Sequence, residues 1–210
     1  MKMVKKSIIV ASLLFATTNA MAQNEYFMGV GIGNGSWTQE IKVVRVSNGA
    51  SVVTVSESNS GNVLSILGGT IIDNKHKLSI GYSTYNTVAD VDMTSIDLGY
   101  AYFIDLDGLK IADNKWKPFI GAGYLINTYT EKLDSSWDKS EFKLTTKALI
   151  LGIGTDYKID KNQFITMKYD MSLSTSGSES ATFTIDGNDF NTIMESNKFS
   201  GWIVSYNYKF

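Results

Sequence analysis

The chain has 210 residues, with 19 Lys and Arg against 21 Asp and Glu, one His, one Pro and no Cys. Without Cys there is no disulfide scaffold and no thiolate metal or redox site. A net charge of −2 leaves no basic stripe for nucleic acid. Mean hydropathy of −0.05 fits a soluble all-β domain and equally a membrane barrel whose polar and apolar faces average out.

The first segment, "MKMVKKSIIVASLLFATTNAMAQ", carries Lys2, Lys5 and Lys6, then an apolar run from Ile8 to Ala16, then Ala20-Met21-Ala22. That is the pattern of a secretory signal peptide over residues 1–22, with cleavage before Gln23. The apolar run is too short for the roughly 20 residues a spanning helix needs. No Cys follows the site, which excludes a lipoprotein anchor. Cleavage removes three lysines and no acid, so residues 23–210 hold 16 basic and 21 acidic side chains, a net charge of −5. Past residue 22 no run is apolar enough for a membrane helix. The remaining way to cross a bilayer is a closed β-barrel, which satisfies every backbone N–H and C=O.

Period-two alternation runs through the rest of the chain. In "YFMGVGIGNG" Tyr26, Met28, Val30 and Ile32 oppose Gly29, Gly31, Gly33 and Gly35. "NVLSILGGTII" (62–72) is apolar on both faces, which leaves its register open. "HKLSIGYSTY" sets Leu78, Ile80 and Tyr82 against Ser79, Gly81 and Ser83, and "SIDLGYAYFID" sets Ile96, Leu98, Tyr100 and Tyr102 against Asp97, Gly99 and Ala101. "KPFIGAGYLINTYT" sets Ile120, Ala122, Tyr124 and Ile126 against Gly121, Gly123 and Asn127. "ALILGIGTDY" sets Leu149, Leu151, Ile153 and Tyr157 against Gly152, Gly154 and Asp156. In "FITMKYDMSL" Ile165, Met167, Tyr169, Met171 and Leu173 oppose Thr166, Lys168, Asp170 and Ser172. The eighth segment, 199–210, closes the chain with Trp202, Val204, Tyr206, Tyr208 and Phe210 on one face.

Eight is an even count, as a single-chain bacterial barrel requires. Connections 73–76, 107–115 and 158–162 are short, whereas 38–61, 131–141 and 174–198 are long, and 86–93 is intermediate. Short periplasmic turns alternating with longer external loops match an outer-membrane barrel with both termini in the periplasm. A soluble β-sandwich is the competing architecture. Its water-facing strands would carry more charge than these Gly- and Ser-rich faces do. Aromatics near strand ends (Tyr26, Tyr82, Trp116, Tyr157, Trp202, Phe210) also suit interfacial girdles. The fold class is therefore all-β: an eight-stranded antiparallel up-and-down transmembrane barrel over 23–210, with extended extracellular hairpins.

The signal peptide, "KPFIGAGY" (117–124), the eight alternating segments and the terminal "SYNYKF" resemble small outer-membrane barrels of the OmpA/OmpX type. The resemblance spans the whole mature chain. It implies residence in the cell outer membrane among lipid and lipopolysaccharide. It also implies that Trp202, Val204, Tyr206, Tyr208 and Phe210 form the signal read by the barrel-assembly machinery. The chain stops where the barrel stops, so OmpA's peptidoglycan-binding role is not carried over.

Motifs for chemistry are sparse. "GVGIGNG" (29–35) lacks the G-x-G-x-x-G spacing of a dinucleotide fold and reads as a lumen face kept small. His76, the single histidine, falls in the first periplasmic turn, which deprives Ser–His–Asp catalysis and His-based metal sites of their main participant. "DLDGLKIADNK" (105–115) lacks the ligand register of a calcium loop. No enzyme activity and no cofactor are expected. Asp97, Asp156, Lys168 and Asp170 point into a narrow lumen, where charges must be paired or hydrated. Lys168 is expected to bridge Asp156 or Asp97, either as a structural plug or as part of an ion path.

Two external segments continue the alternation: 41–56 around Asn48-Gly49 and 180–194 around Asp186-Gly187. A membrane crossing needs only about 9–11 residues, so both hairpins should rise above the bilayer as one sheet. That sheet carries Val43, Val44, Val53, Val55, Phe183 and Ile185. The reading is a non-enzymatic outer-membrane protein that serves structurally, or binds an external protein or host surface through these hairpins. The alternative is a small porin-like channel for ions or small solutes.

Overall fold

The structure is a computed structural model. It describes residues 24–210 apart from 88–90, 106–114, 134–136, 139, 186 and 187. The signal segment 1–22, most of the 105–115 turn and the Asp186-Gly187 pair lie outside the described residues. Among the described residues there are nine strands: β1 (Glu25–Arg45), β2 (Ser51–Ile72), β3 (His76–Thr87), β4 (Val91–Phe103), β5 (Trp116–Lys132), β6 (Glu141–Lys158), β7 (Gln163–Ser176), β8 (Ser178–Ile185) and β9 (Asn188–Lys209). Eight of them, β1 to β7 and β9, pair antiparallel in chain order, and β9 returns to β1. The expected eight-stranded barrel is the one observed. β8 pairs with the upper part of β9 outside the ring.

The closing seam runs from Phe27↔Lys209 to Arg45↔Phe190. Phe210, one residue past β9, still donates its N–H to the carbonyl of Tyr26 at 3.0 Å. The last residue is thus tied into the ladder.

At the end where the chain enters and leaves, the described turns at 73–75 and 159–162 are tight. Asp73 and Asn74 both have positive φ, 51° and 56°, and Lys75 N–H closes on Ile72 C=O at 3.1 Å. Two left-handed residues in a row make the type I′ turn that matches strand twist, here without glycine. At the opposite, loop end, β1 and β2 run on together to a turn around Asn48-Gly49. There Gly49 takes φ 67° and Ala50 N–H bonds Asn48 Oδ1 at 3.0 Å. The long connections 38–61 and 174–198, expected to carry hairpins at 41–56 and 180–194, are mostly strand among the described residues.

Outward positions form a continuous apolar belt. Ile32 and Ile153 are 65% and 63% exposed, and Val30, Leu64, Ile66, Ile120, Leu149 and Leu173 are also open. A soluble fold would bury such residues, whereas lipid receives them. Above the belt the outward side chains change to Asn34, Ser36, Thr38, Ser58, Ser60, Thr84, Thr94, Thr128 and Thr145. At the turn end an aromatic rim appears: His76 Nδ1 lies 2.8 Å from the Tyr100 hydroxyl, Trp116 stacks on Tyr157 at 4.7 Å, and Tyr206 donates to Gln163 Oε1 at 2.8 Å.

The glycines of β1 face inward at close approaches. A Cβ on Gly33 would meet the backbone carbonyl of Trp202 across the seam, and one on Gly35 would meet the Tyr85 ring. Neither the ladder nor a buried ring has room to give. Gly33→Val should therefore lower stability by roughly 1–3 kcal/mol, the usual range for overpacking. Urea unfolding in detergent, followed by the mobility difference between folded and boiled protein on gels, measures it.

Candidate functional site

Inward side chains fill the barrel in three layers. The turn-end layer is Phe27, Ile71, Ala101, Phe103, Phe119 and Phe164, with Leu67 against it. The loop-end layer is larger and includes Trp37, Val63, Tyr85, Met93, Leu125, Tyr129, Phe142, Leu144, Ile150 and Phe199. Trp37 meets Tyr85 and Tyr129 at 6.0 Å each, and Tyr85 meets Phe199 at 6.3 Å. Residues from β1, β2, β3, β4, β5, β6, β8 and β9 meet in this layer.

One charged pair sits inside the turn-end layer, level with Ile71 and Ala101, and a second group lies between the two apolar layers. Asp156 and Lys77 are both buried and paired across the lumen, with Lys77 Nζ 3.0 and 2.9 Å from the two carboxylate oxygens and 2.9 Å from Thr166 Oγ1. Thr166 in turn donates to Asp156 at 2.6 Å and accepts from Asn207 Nδ2 at 3.1 Å. The rings of Phe164, Phe27 and Phe119 surround the ammonium at 4.9, 5.1 and 5.6 Å. All three Lys donors are used, and the aromatic faces replace much of the lost hydration. One step toward the loop end, Lys168 lies 2.8 Å from Asp170 and 3.8 Å from Asp97.

All four charges expected in the lumen therefore point inward, and Lys168 reaches Asp97, one of its two expected partners, while Asp156 pairs elsewhere. Lys168 takes Asp97 and Asp170, and Asp156 takes Lys77. Lys77 was missed as a participant. The signal was there, since extending the Ser79, Gly81, Ser83 face by one step reaches Lys77. What the strand pattern lacks is the stagger between β3 and β6, which sets which residues oppose each other across the barrel.

His76 sits at the first position of β3, on the outward rim beside Tyr100 and Tyr102. Among the described residues no group of three or more His, Cys, Asp or Glu converges as a metal site would require.

At the loop end β2, β1, β9 and β8 rise above the belt as one four-stranded sheet. Its inner face carries successive rows. Val55, Ile41 and Met194 lie lowest, then Val53, Val43, Thr192 and Ala181, and then Arg45, Phe190 and Phe183. Trp137 extends the last row, 4.8 Å from Phe183, which stacks on Phe190 at 5.5 Å with the Arg45 guanidinium 5.8 Å beyond. Of the six apolar residues expected on the raised sheet, Val43, Val53, Val55, Phe183 and Ile185 share this inner face. Val44 alternates to the other side, because it follows Val43 directly along an extended strand.

The two edges of the raised sheet differ. On the β8 edge Trp137 pairs with Phe183, Asp138 N–H bonds Thr182 C=O at 3.0 Å, and Thr182 N–H bonds Asp138 Oδ1 at 3.0 Å. On the β2 edge the β3 ladder begins only at Gly61↔Thr87. Residues 51–60 are all exposed, and among the described residues no strand pairs with them on the side away from β1.

No protein-family model matches the chain, and no curated protein matches its sequence. Solved structures do match its shape. The outer membrane protein OprG from Pseudomonas aeruginosa aligns over 89% of this chain and 96% of its own, at 15% identity and a TM-score of 0.66. The outer membrane protein AlkL, solved by solid-state NMR in lipid bilayers, aligns over 93% and 94%, at 14% identity and 0.55. The outer membrane protease OmpT from Escherichia coli aligns over 91% and 99%, at 8% identity and 0.50. The fold is that of a small outer-membrane β-barrel, and the belt of exposed apolar side chains accords with a place in that membrane.

Two outcomes test this geometry. Lys77→Met leaves Asp156 buried without a partner and should cost about 3–5 kcal/mol, while Lys77→Met with Asp156→Leu should recover most of it. Denaturant unfolding in micelles reads both. At the mouth, burial and then the nearby Glu57 push the Glu131 carboxyl above its ordinary value of 4.5. An acid raised in the folded state favours folding most while protonated. Its penalty appears as pH rises above that value. Glu131→Gln should raise the unfolding midpoint at pH 7 and leave it unchanged at pH 3.

Proposed function

We propose that this is a non-enzymatic protein of the bacterial outer membrane whose working surface is the raised sheet. It binds an extended segment of an external protein by strand addition along residues 51–60 of β2. The observation that carries the reading is the asymmetry of the two edges: β8 is capped by Trp137 and Asp138, and among the described residues no strand pairs with the outer edge of β2 over 51–60.

Exposed strands that do not receive partners are usually blunted by Lys, Pro or a short length. "SVVTVSESNS" (51–60) has neither Lys nor Pro, and its one charge is Glu57. An added strand would satisfy the free N–H and C=O groups of β2. Its alternate side chains would meet Val53 and Val55, exposed at 44% and 42%, at the start of the apolar rows. The filled lumen supports placing the activity outside: aromatic and aliphatic side chains occupy it at both ends, with ion pairs among them.

The same surfaces supply the remaining partners. The apolar belt meets lipid, and the Ser, Thr and Asn collar above it meets the headgroups of lipopolysaccharide. Trp202, Val204, Tyr206, Tyr208 and Phe210 all lie on the outward face of the last strand, open to the barrel-assembly machinery before closure. Export depends on residues 1–22.

The test uses the detergent-solubilised barrel and a displayed library of extended, β-branched peptides. Binders should slow amide hydrogen exchange across 51–60, and shortening the 41–56 hairpin should abolish their binding while the heat-dependent gel shift persists. Protection confined to β8 or to the lumen, or binding that survives the shortened hairpin, contradicts the reading.

A further inference from the structure

The charged layer of the lumen is not neutral. Lys77 balances Asp156 in a complete set of hydrogen bonds, but Lys168 faces two carboxylates, Asp170 at 2.8 Å and Asp97 at 3.8 Å. One negative charge is left over, and Asp97 holds the longer contact. Of the cationic side chains nearer the periplasmic rim, Lys209 pairs with Glu25 at 2.6 Å and Lys117 donates to Asn74 Oδ1 at 3.3 Å.

Beside these carboxylates lies a cavity of about 70 Å³, lined among others by Asp97, Asp170, Lys168, Ser65, Ser79 and Ser205. Ser65 is 3% exposed, and its hydroxyl has no protein hydrogen-bond partner. A buried hydroxyl without a partner costs free energy, as does a buried charge without one. Both lie on the same cavity, which is large enough for an ion and a few waters. The geometry points to a resident monovalent cation, of the Na⁺ or K⁺ class. The Asp97 and Asp170 carboxylates and the Ser65 oxygen would hold it, and water would complete the shell.

The charge sets the valence. A single ion of charge +1 neutralises the layer, whereas a divalent ion would over-compensate it and finds no third carboxylate free, since Asp156 is committed to Lys77. Hard oxygen donors, carboxylate and hydroxyl, suit an alkali cation. The ion would be structural, fixed between two apolar layers, and independent of what the raised sheet binds.

The test is refolding from urea into detergent micelles at one ionic strength, in sodium chloride or in N-methyl-D-glucamine chloride, whose cation is too large for the cavity. Sodium should raise the urea midpoint, with a shift that grows with the logarithm of sodium concentration as for any ligand of the native state. Asp97→Asn, which removes the surplus charge, should fold as well in N-methyl-D-glucamine as the wild type does in sodium, and should lose the sodium shift. Ser65→Ala should keep the fold and weaken the shift. Equal midpoints in the two salts overturn the assignment, as does a sodium shift that persists in Asp97→Asn. A midpoint in N-methyl-D-glucamine that rises on acidification, with no sodium effect, also overturns it, because a bound proton then carries the compensation.

Discussion

The pairing of β1 with β9 is the constraint on which the rest of this molecule depends. In lipid an open sheet edge would leave a row of unsatisfied backbone groups. Closure therefore requires a last strand paired on both sides, and Phe210 N–H on Tyr26 C=O extends its seam with β1. Closure also dictates what the inside of β1 can be. Its inward positions Gly29, Gly31, Gly33 and Gly35 lie against Asn207, Ser205, Ile203 and Gly201 on the facing strand. The small side chains on this stretch of β1 make room for larger ones from other strands, Tyr85 of β3 and Phe199 of β9 among them.

The fill has an order that follows from dielectric. A charge in the lumen needs a partner and hydrogen bonds, and the turn-end layer supplies both through Lys77, Asp156, Thr166 and Asn207. Such pairs add less to stability than their attraction suggests, because desolvation opposes it. Their larger effect is on register. Lys77 on β3 and Asp156 on β6 meet at only one stagger of the barrel wall. The aromatic rings around the ammonium and the large loop-end cluster then exclude solvent from either side. The barrel supplies a rigid, filled post, and the raised sheet on it is the part whose backbone groups stay exposed to water.

The sequence exposed the faces more fully than the contacts. Period-two alternation in "FITMKYDMSL" and "GWIVSYNYKF" separates lipid-facing from lumen-facing residues, and the observed strands keep those faces. The Asn48-Gly49 turn was legible because only a few dipeptides favour its left-handed backbone. Three things were not legible. The partner of Asp156 depends on shear between strands distant in sequence. Val43 and Val44 lie on opposite faces by the same alternation, but both are apolar, so nothing local marks which of the two faces the barrel axis. The capping of β8 by Trp137 and Asp138 joins a loop to a strand some 45 residues away, with no local pattern to mark it.

A lumen packed at both ends, with its polar middle held in ion pairs, is the central claim of this account. Single-channel recording after insertion of the purified, gel-shift-competent barrel into planar bilayers tests it most directly. The account expects a flat baseline across the voltage range, unchanged when the 41–56 and 180–194 hairpins are trimmed. Steady conductance that survives that trimming and changes with Lys168→Ala or Lys77→Ala would contradict it, because ions would then be crossing the two packed apolar layers.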